Sequence, residues 1–126
     1  MTPDTRIDKQ SLPQTVDLIV EAALDMKASR PLLLDLRGLT DVADYFFICS
    51  ADADPHARAI SDAVADALEP LDRTPWHVEG RDTLRWVLID FVDVVVHVFR
   101  NEARDFYALE EVWADAPRIP LPELDQ

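Results

Sequence analysis

Two carboxylates and one imidazole interrupt an apolar, β-branched run at residues 90–99, DFVDVVVHVF. Asp90 and Asp93 could hold a divalent cation, with His97 as a base or a further ligand, because such ions prefer carboxylate oxygens. The structural alternative is that the aspartates end strands and that His97 is a hydrogen-bonded imidazole packed against Trp86. A chain with only two glycines has no glycine-rich loop to hold phosphate. The pattern therefore favours packing or partner binding over catalysis.

A second acidic pair lies in ADADP, at residues 51–55. Asp52 and Asp54 could bind Mg²⁺, but they also precede a helical pattern, where the helix dipole favours acids. Asp54 is predicted to be the N-cap, with Pro55 at the first helical position. The single Cys49 cannot form an internal disulfide, and its apolar surroundings predict a small buried side chain.

The elements that must position these residues follow from hydrophobic periodicity. The predicted order is α-β-β-α-β-β-β-α. It indicates a single domain of the α/β class, with a mixed sheet and flanking helices. In the final helix, Phe106 and Val112 are among the predicted core positions. The predicted segments are a helix over 11–28, strands over 32–36 and 45–50, a helix over 54–69, strands over 74–80, 84–90 and 93–99, and a helix from 101.

The last two strands are close enough to form a hairpin, with Phe91 and Val92 as a two-residue loop. That register pairs Asp90 with Asp93. Alternation then gives one aliphatic face for the core and one mixed face. Phe-Val is unusual in a tight turn, so the register depends on the turn geometry. The mixed face carries Trp86, Leu88, Asp90, Asp93, Val95, His97 and Phe99, and the aliphatic face carries Val87, Ile89, Val94, Val96 and Val98.

Composition limits the classes of partner. The 126 residues suit one domain, and 25 acids against 12 bases give a formal net charge of −13. Such a chain is repelled by phosphate, which argues against specific nucleic-acid binding or an anionic membrane; a basic protein is the better partner. The alternative is that the acids only maintain solubility. No signal peptide or membrane-spanning stretch is recognisable, so a cytoplasmic location is expected.

Five segments in order resemble the ribosomal silencing factor family, also called the Iojap family. The resemblance runs from Gln14 to Ala116, and its specificity lies in the order and spacing of the motifs. We predict a domain over 11–116 with flexible termini at 1–10 and 117–126. The matching segments are LLLDLRGLTDVADYFFIC, ADPHARAISDAVADAL, VEG at 78–80, WVLIDFVDVVVHVF and RDFYALEEVWADA.

The resemblance implies a nucleotidyltransferase-like fold without transferase activity, and neither a cofactor nor a metal. It also implies binding to the large ribosomal subunit through ribosomal protein L-fourteen, which blocks joining of the small subunit when nutrients are scarce. Two departures concern this chain. It has Ser50, Ala51 and Asp52 where the family has a small Ser/Thr-Gly segment, and Val92 where glycine is common in the hairpin turn.

Within this framework, the mixed face and its neighbours are the predicted docking surface, with aromatic anchors supplying affinity and acids supplying orientation. Core burial of Trp86, Tyr107 and Trp113 is the competing interpretation. A nucleotide- or metal-dependent transferase and a homodimer paired through the aromatic face are the alternative functions. The predicted partner-binding residues are Glu79, Trp86, Leu88, Asp90, Asp93, Val95, His97, Phe99 and Tyr107.

Overall fold

The computed structural model describes residues 12–121 and shows a six-stranded mixed sheet with helices on both faces. The strands lie in the order β3-β4-β5-β2-β1-β6. Within 12–121, no helix has the length and apolar character needed to cross a bilayer. The elements are α1 (Gln14–Asp25), β1 (Ser29–Asp35), β2 (Tyr45–Ala51), α2 (Asp54–Asp66), a 3₁₀ turn (Glu69–Leu71), β3 (His77–Glu79), β4 (Trp86–Asp90), β5 (Val94–Arg100), α3 (Asn101–Tyr107), α4 (Leu109–Val112) and β6 (Arg118–Ile119).

The centre of the sheet is the parallel pair β2 and β5, in register from Tyr45 opposite Val94 to Ala51 opposite Arg100. All seven residues of β2 are buried, as are the first six of β5. A strand that is covered on both faces has no solvent-facing side, so polar and apolar residues need not alternate along it. This explains why β2 and β5 are nearly continuous apolar runs in the sequence. The predicted α/β class with one mixed sheet is confirmed.

One face of the sheet packs against α1 and α2. Both helices bury residues at three- and four-residue spacing, so each presents one apolar stripe. The aliphatic face predicted for the hairpin lies beneath them and is buried, as the alternation indicated. The contributing side chains are Val16, Ile19, Val20 and Ala23 of α1, Ala57, Ile60 and Val64 of α2, and Val87, Ile89, Val94, Val96 and Val98 of the hairpin.

The opposite face carries a second core, around Phe46, Val95 and Phe99, which the C-terminal segment covers with Ala103 and Trp113. The predicted continuous last helix is wrong, because Ala108 adopts a left-handed conformation (φ 48°) that separates α3 from α4. The break changes which side chains face inward. Phe106 and Val112, predicted as core positions, are 77% and 71% exposed.

The segment after α4 also departs from prediction, because residues 117–121 were expected to belong to a flexible tail. Asp35 donates its backbone N–H to the Pro117 carbonyl at 2.9 Å, and β6 then pairs with β1. Ile119 and Leu121 are buried against the α1 side of the sheet. The remaining predicted flexible residues, and Ser11 as a helix cap, lie outside the described residues; α1 begins at Gln14 with Pro13 at the N-cap.

The hairpin register differs from prediction by two residues. Asp90 lies opposite Val95 rather than Asp93, and Phe91 donates its N–H to the Val94 carbonyl at 2.9 Å. The loop is therefore Val92 and Asp93. Val92 has φ 82°, and both primed hairpin turns need a positive φ at the first loop residue. Since a shift of two preserves the side of the sheet, the two predicted faces survive.

This geometry predicts that Val92→Gly stabilises the protein. A β-branched residue at positive φ is strained by its Cβ, whereas glycine adopts this conformation freely. Glycine also increases the conformational entropy of the unfolded chain, which cancels part of this gain. We therefore expect a net increase of about 1 kcal/mol in the free energy of unfolding. Urea denaturation measures it. Val92→Ala keeps a Cβ and should gain less; an equal gain would show that relief of strain is not the cause.

Candidate functional site

The site begins with a hydrogen bond across the hairpin. The indole Nε1–H of Trp86, the first residue of β4, donates to Nδ1 of His97 on β5 at 3.1 Å. His97 is 3% exposed, and burial lowers its pKa to about 3. The imidazole is therefore neutral near pH 7, and because Nδ1 accepts, Nε2 carries the hydrogen. The predicted packing of a hydrogen-bonded His97 against Trp86 is confirmed.

The His97 ring is held inside a cage of aromatic rings. Its centroid lies 4.6 Å from that of Phe46 in an edge-to-face arrangement and 6.4 Å from that of Phe99. Its Nε2 atom has no hydrogen-bond partner among residues 12–121. A fixed ring with one acceptor aimed at Trp86 holds the indole in a single orientation.

From Trp86 the aromatic contacts continue outward to the surface. The centroid of the Trp86 ring lies 4.8 Å from that of Phe99 and 4.9 Å from that of Tyr107. The centroids of Tyr107 and Phe106 are 5.0 Å apart. Tyr107 is 45% exposed, while Trp86 is half-buried. We call the half-buried Trp86 and Leu88 of β4, together with the exposed Phe106 and Tyr107 of α3, the aromatic surface.

A shallow cavity of about 190 Å³ adjoins the aromatic surface, lined by Glu79, Gly80, Trp86 and Leu88. Gly80 has φ 89°, and a Cβ at this position would collide with the Trp86 carbonyl oxygen. Only glycine therefore permits this approach of the chain to β4. Glu79 lies at the rim and accepts a hydrogen bond from His77 Nε2 at 2.7 Å.

The predicted docking residues fall into three groups in the structure. Glu79, Trp86, Leu88 and Tyr107 come together at the aromatic surface and its cavity. Asp90 and Asp93 lie at the turn, at the other end of β4 and β5. Three predicted members, Val95, His97 and Phe99, are no more than 5% exposed. The C-terminal segment covers them, so they support the aromatic surface from beneath and cannot form its outer layer.

Asp90, Asp93 and His97 do not converge on a metal. The carboxylate of Asp90 accepts the Val92 N–H at 2.7 Å, and Arg73 donates to Asp93 at 2.9 Å. Burial alone would raise the pKa of Asp93, but the Arg73 guanidinium outweighs it and lowers that pKa below its usual value. Across residues 12–121 no three His, Cys, Asp or Glu side chains are grouped to hold a metal ion.

Arg73 was not anticipated from the sequence. Besides Asp93, it donates to the Phe91 carbonyl at 2.7 Å, so it clamps both sides of the hairpin turn. Its sequence context, LDRTP, carries no motif. Because the clamp joins residues 18 and 20 positions apart, only the folded chain reveals it.

The predicted capping role of Asp54 is wrong. The N-cap of α2 is Ala53, and no side chain caps the helix. The Asp54 carboxylate instead accepts a hydrogen bond from Arg100 at 2.5 Å, since β5 ends beside the start of α2. Asp52 donates its backbone N–H to His56 Nδ1 at 3.0 Å. Cys49 is fully buried, as predicted, and burial raises the pKa of its thiol to about 12.

A second arginine missed from the sequence supports the aromatic surface from within. Arg104 of α3 is 4% exposed. It donates to the Arg30 carbonyl at 2.6 Å, to Ser50 Oγ at 2.9 Å and to the Glu110 carboxylate at 3.3 Å. These bonds connect α3 to β1, β2 and α4. The only sequence signal is that Arg104 follows Ala103, a predicted core position.

The buried imidazole predicts acid sensitivity. The pKa of His97 in the folded protein, about 3, lies below the value of 6.5 for an unperturbed histidine, so the unfolded chain binds one more proton between these pH values. The contribution of His97 to the free energy of unfolding is therefore complete above about pH 6.5. As the pH drops below this value, the free energy of unfolding decreases by up to about 1.4 kcal/mol per pH unit. Urea denaturation from pH 7.5 to 4 measures it.

The control for this prediction is His97→Gln, which cannot be protonated in the same range. Its stability should depend less on pH between 6.5 and 4 than that of the wild type, while above pH 7 the two slopes should agree. Equal slopes across the acid range would show that His97 does not cause the effect.

Comparison with known proteins gives the family. Residues 9–126 match the family model described as "Ribosomal silencing factor during starvation". The ribosomal silencing factor of Bacillus subtilis is 43% identical over 104 residues, covering 82% of this chain and 88% of that protein. The chloroplast Iojap protein of Arabidopsis thaliana is 33% identical, covering 99% of this chain and 52% of that protein.

The fold agrees with solved structures. A crystal structure from Chromobacterium violaceum superimposes with a TM-score of 0.77 at 30% identity, covering 80% of this chain and 84% of that one. A second, from Bacillus halodurans, gives a TM-score of 0.75 at 34% identity, covering 84% and 96%. Since the family model spans nearly the whole chain and relatives of more than 30% identity are covered over most of their length, the chain belongs to the ribosomal silencing factor family.

Proposed function

We propose that the protein represses translation by binding the large ribosomal subunit through ribosomal protein L-fourteen and blocking the joining of the small subunit under nutrient limitation. Membership of the silencing factor family supports the ribosomal part of this proposal. The observation that carries the choice of surface is the exposed aromatic surface, which is apolar, held in place by the buried His97 and bordered by the Glu79 carboxylate.

The aromatic surface has the composition of an interface centre. Trp and Tyr supply large contact areas, and Trp86 and Tyr107 are already positioned by the rings around them, so little side-chain freedom remains to be lost on binding. Glu79 at the rim suits a basic partner. The net charge of −13 would speed association with a basic protein and oppose direct contact with RNA.

Steric exclusion is sufficient for repression, and no reaction needs to be catalysed. A folded chain of this length has a radius of gyration of about 14 Å, which is bulky enough to separate two surfaces that must meet. The family is named for silencing rather than for a reaction. The site of action would be the cytoplasm, where ribosomal subunits join.

The test is to mix the protein with separated ribosomal subunits and to follow subunit joining by sucrose-gradient sedimentation. We expect free large and small subunits to persist as the protein is added, with the protein migrating with the large subunit. Unchanged joining at saturating protein would refute the repressor function. Sedimentation equilibrium of the protein alone tests the competing prediction that the aromatic surface pairs two copies.

A further inference from the structure

A second exposed apolar surface lies at the opposite end of the hairpin from the aromatic surface. Val42, Trp76 and Val92 are 61%, 73% and 60% exposed. We call these three residues the hairpin-tip surface. Large apolar side chains with more than half of their surface exposed are few among residues 12–121, and these three belong to segments at the same end of the sheet.

Backbone hydrogen bonds bring the three segments together. Trp76 donates its N–H to the Asp90 carbonyl at 2.8 Å, and the N–H of Val92 is bound by the Asp90 carboxylate at 2.7 Å. The segment of Val42 joins them because Asp44 donates its N–H to the Asp93 carbonyl at 2.8 Å. Three stretches that are distant in sequence therefore form one edge of the fold.

The position of Val92 is strained, yet it is fixed firmly. Its φ of 82° is unfavourable for a β-branched residue. Arg73 binds the carbonyl before it and the carboxylate after it, and Asp90 binds its N–H. Strained residues persist where the surroundings over-determine them, and they concentrate at functional positions. Here the strain presents an apolar side chain to solvent at a position that glycine would occupy more easily.

Carboxylates are frequent in the segments that carry the hairpin-tip surface. The two arginines in this region are already paired: Arg37 with Asp35 at 2.8 Å and Arg73 with Asp93 at 2.9 Å. Four other carboxylates lie in the segments at this end of the sheet, and among residues 12–121 none has an arginine or lysine within ion-pair distance, although the charge of Arg37 also attracts Asp44. They are Asp41, Asp44, Asp72 and Asp90. The electrostatic complement of this rim is a surface rich in lysine and arginine.

We propose that the hairpin-tip surface is a second docking site for a basic ribosomal protein on the large subunit. This inference rests on the proposed ribosome binding, but not on the aromatic surface being the first contact. An apolar centre inside an acidic rim fits a basic protein that offers its own apolar contact. The same rim repels RNA phosphates, so protein rather than RNA is the partner. Two contacts on one rigid chain add their free energies and hold the bound protein in one orientation.

The experiment measures binding of fluorescently labelled protein to purified large ribosomal subunits by co-sedimentation. We expect Trp76→Ala to weaken binding about tenfold. Val92→Gly should weaken binding several-fold even though it stabilises the fold, so misfolding cannot explain the loss. Met26→Ala is the matched control, because Met26 is an exposed apolar residue at the end of α1. It should bind like the wild type.

The acidic rim has a separate test. Asp41 is exposed, and Asp41→Asn removes one charge without touching the turn. We expect this variant to associate more slowly in low salt and to match the wild type in high salt, where the charges are screened. Equal association rates at all salt concentrations would overturn the electrostatic part of the proposal.

The outcomes separate this inference from the proposed function. If the wild type does not bind subunits at all, both fail. If Trp86→Ala abolishes binding while Trp76→Ala and Val92→Gly bind like the wild type, only the hairpin-tip site fails. If the wild type binds deproteinised large-subunit RNA and Trp76→Ala abolishes that binding, the partner is RNA and the choice of a protein partner is overturned. Self-association of the free protein that Trp76→Ala abolishes would make a second copy the occupant.

Discussion

Trp86→Ala should weaken binding to the large ribosomal subunit by roughly 100-fold, equivalent to about 3 kcal/mol, and should abolish the block on subunit joining. The indole connects the buried His97 to the exposed Tyr107, with Phe99 against its ring. Its loss removes the largest contact of the aromatic surface and leaves the cavity beside Glu79 without one wall. Titration of labelled protein with large subunits measures the change.

Two variants distinguish contact from folding in this prediction. Trp86→Phe keeps an aromatic ring but loses the hydrogen bond to His97, so we expect intermediate affinity. Met26→Ala, at the end of a helix that packs on the other face of the sheet, should bind like the wild type. Circular dichroism and urea denaturation of each variant verify the fold. If Trp86→Ala folds normally and retains wild-type affinity, the aromatic surface is not the docking site.

Arg104→Ala should lower the free energy of unfolding by about 3 kcal/mol. The buried guanidinium satisfies the Arg30 carbonyl, the Ser50 hydroxyl and the Glu110 carboxylate together. Its removal leaves the partly buried Glu110 carboxylate without its cation, and it eliminates the hydrogen bonds that connect α3 to β1 and β2. Because α3 carries Phe106 and Tyr107, subunit binding should weaken as well. Urea denaturation at pH 7 gives the stability change.

Arg81→Ala is the matched control for Arg104. Arg81 pairs with Asp62 at the surface, where both side chains are about half exposed, so its loss should cost less than about 1 kcal/mol. Replacing Arg104 and Glu110 together, by Met and Leu, removes the buried cation and its partly buried partner and should recover much of the stability. A loss below 1 kcal/mol for Arg104→Ala would show that the three bonds contribute little.

Much of the fold could be predicted because its signals are local. The i, i+3 and i+4 stripes gave α1 and α2, and the uninterrupted apolar runs gave β2 and β5. The two hairpin faces also survived a register error, since a slip of two residues keeps each side chain on its side of the sheet. The error arose from the turn, where Val92 occupies a position that usually indicates glycine.

The candidate site was harder to predict. Periodicity identified the mixed face of the hairpin, but it could not show that the C-terminal segment covers Val95, His97 and Phe99. That arrangement depends on the left-handed conformation of Ala108, a position where the sequence has neither the glycine nor the asparagine that usually indicates a helix end. The same break exposes Phe106. Sequence periodicity reports which side a residue faces, not whether another element lies on top of it.

Local patterns were enough to predict the class of fold, the aliphatic core of the hairpin, the burial of Cys49 and, as one of two alternatives, the packing of His97 against Trp86. Each follows from alternation or from the chemistry of neighbouring residues. The roles of Arg73 and Arg104, and the separation of two exposed apolar surfaces at opposite ends of one hairpin, became visible in the folded chain alone. These features depend on contacts between segments far apart in the chain, which no local pattern encodes.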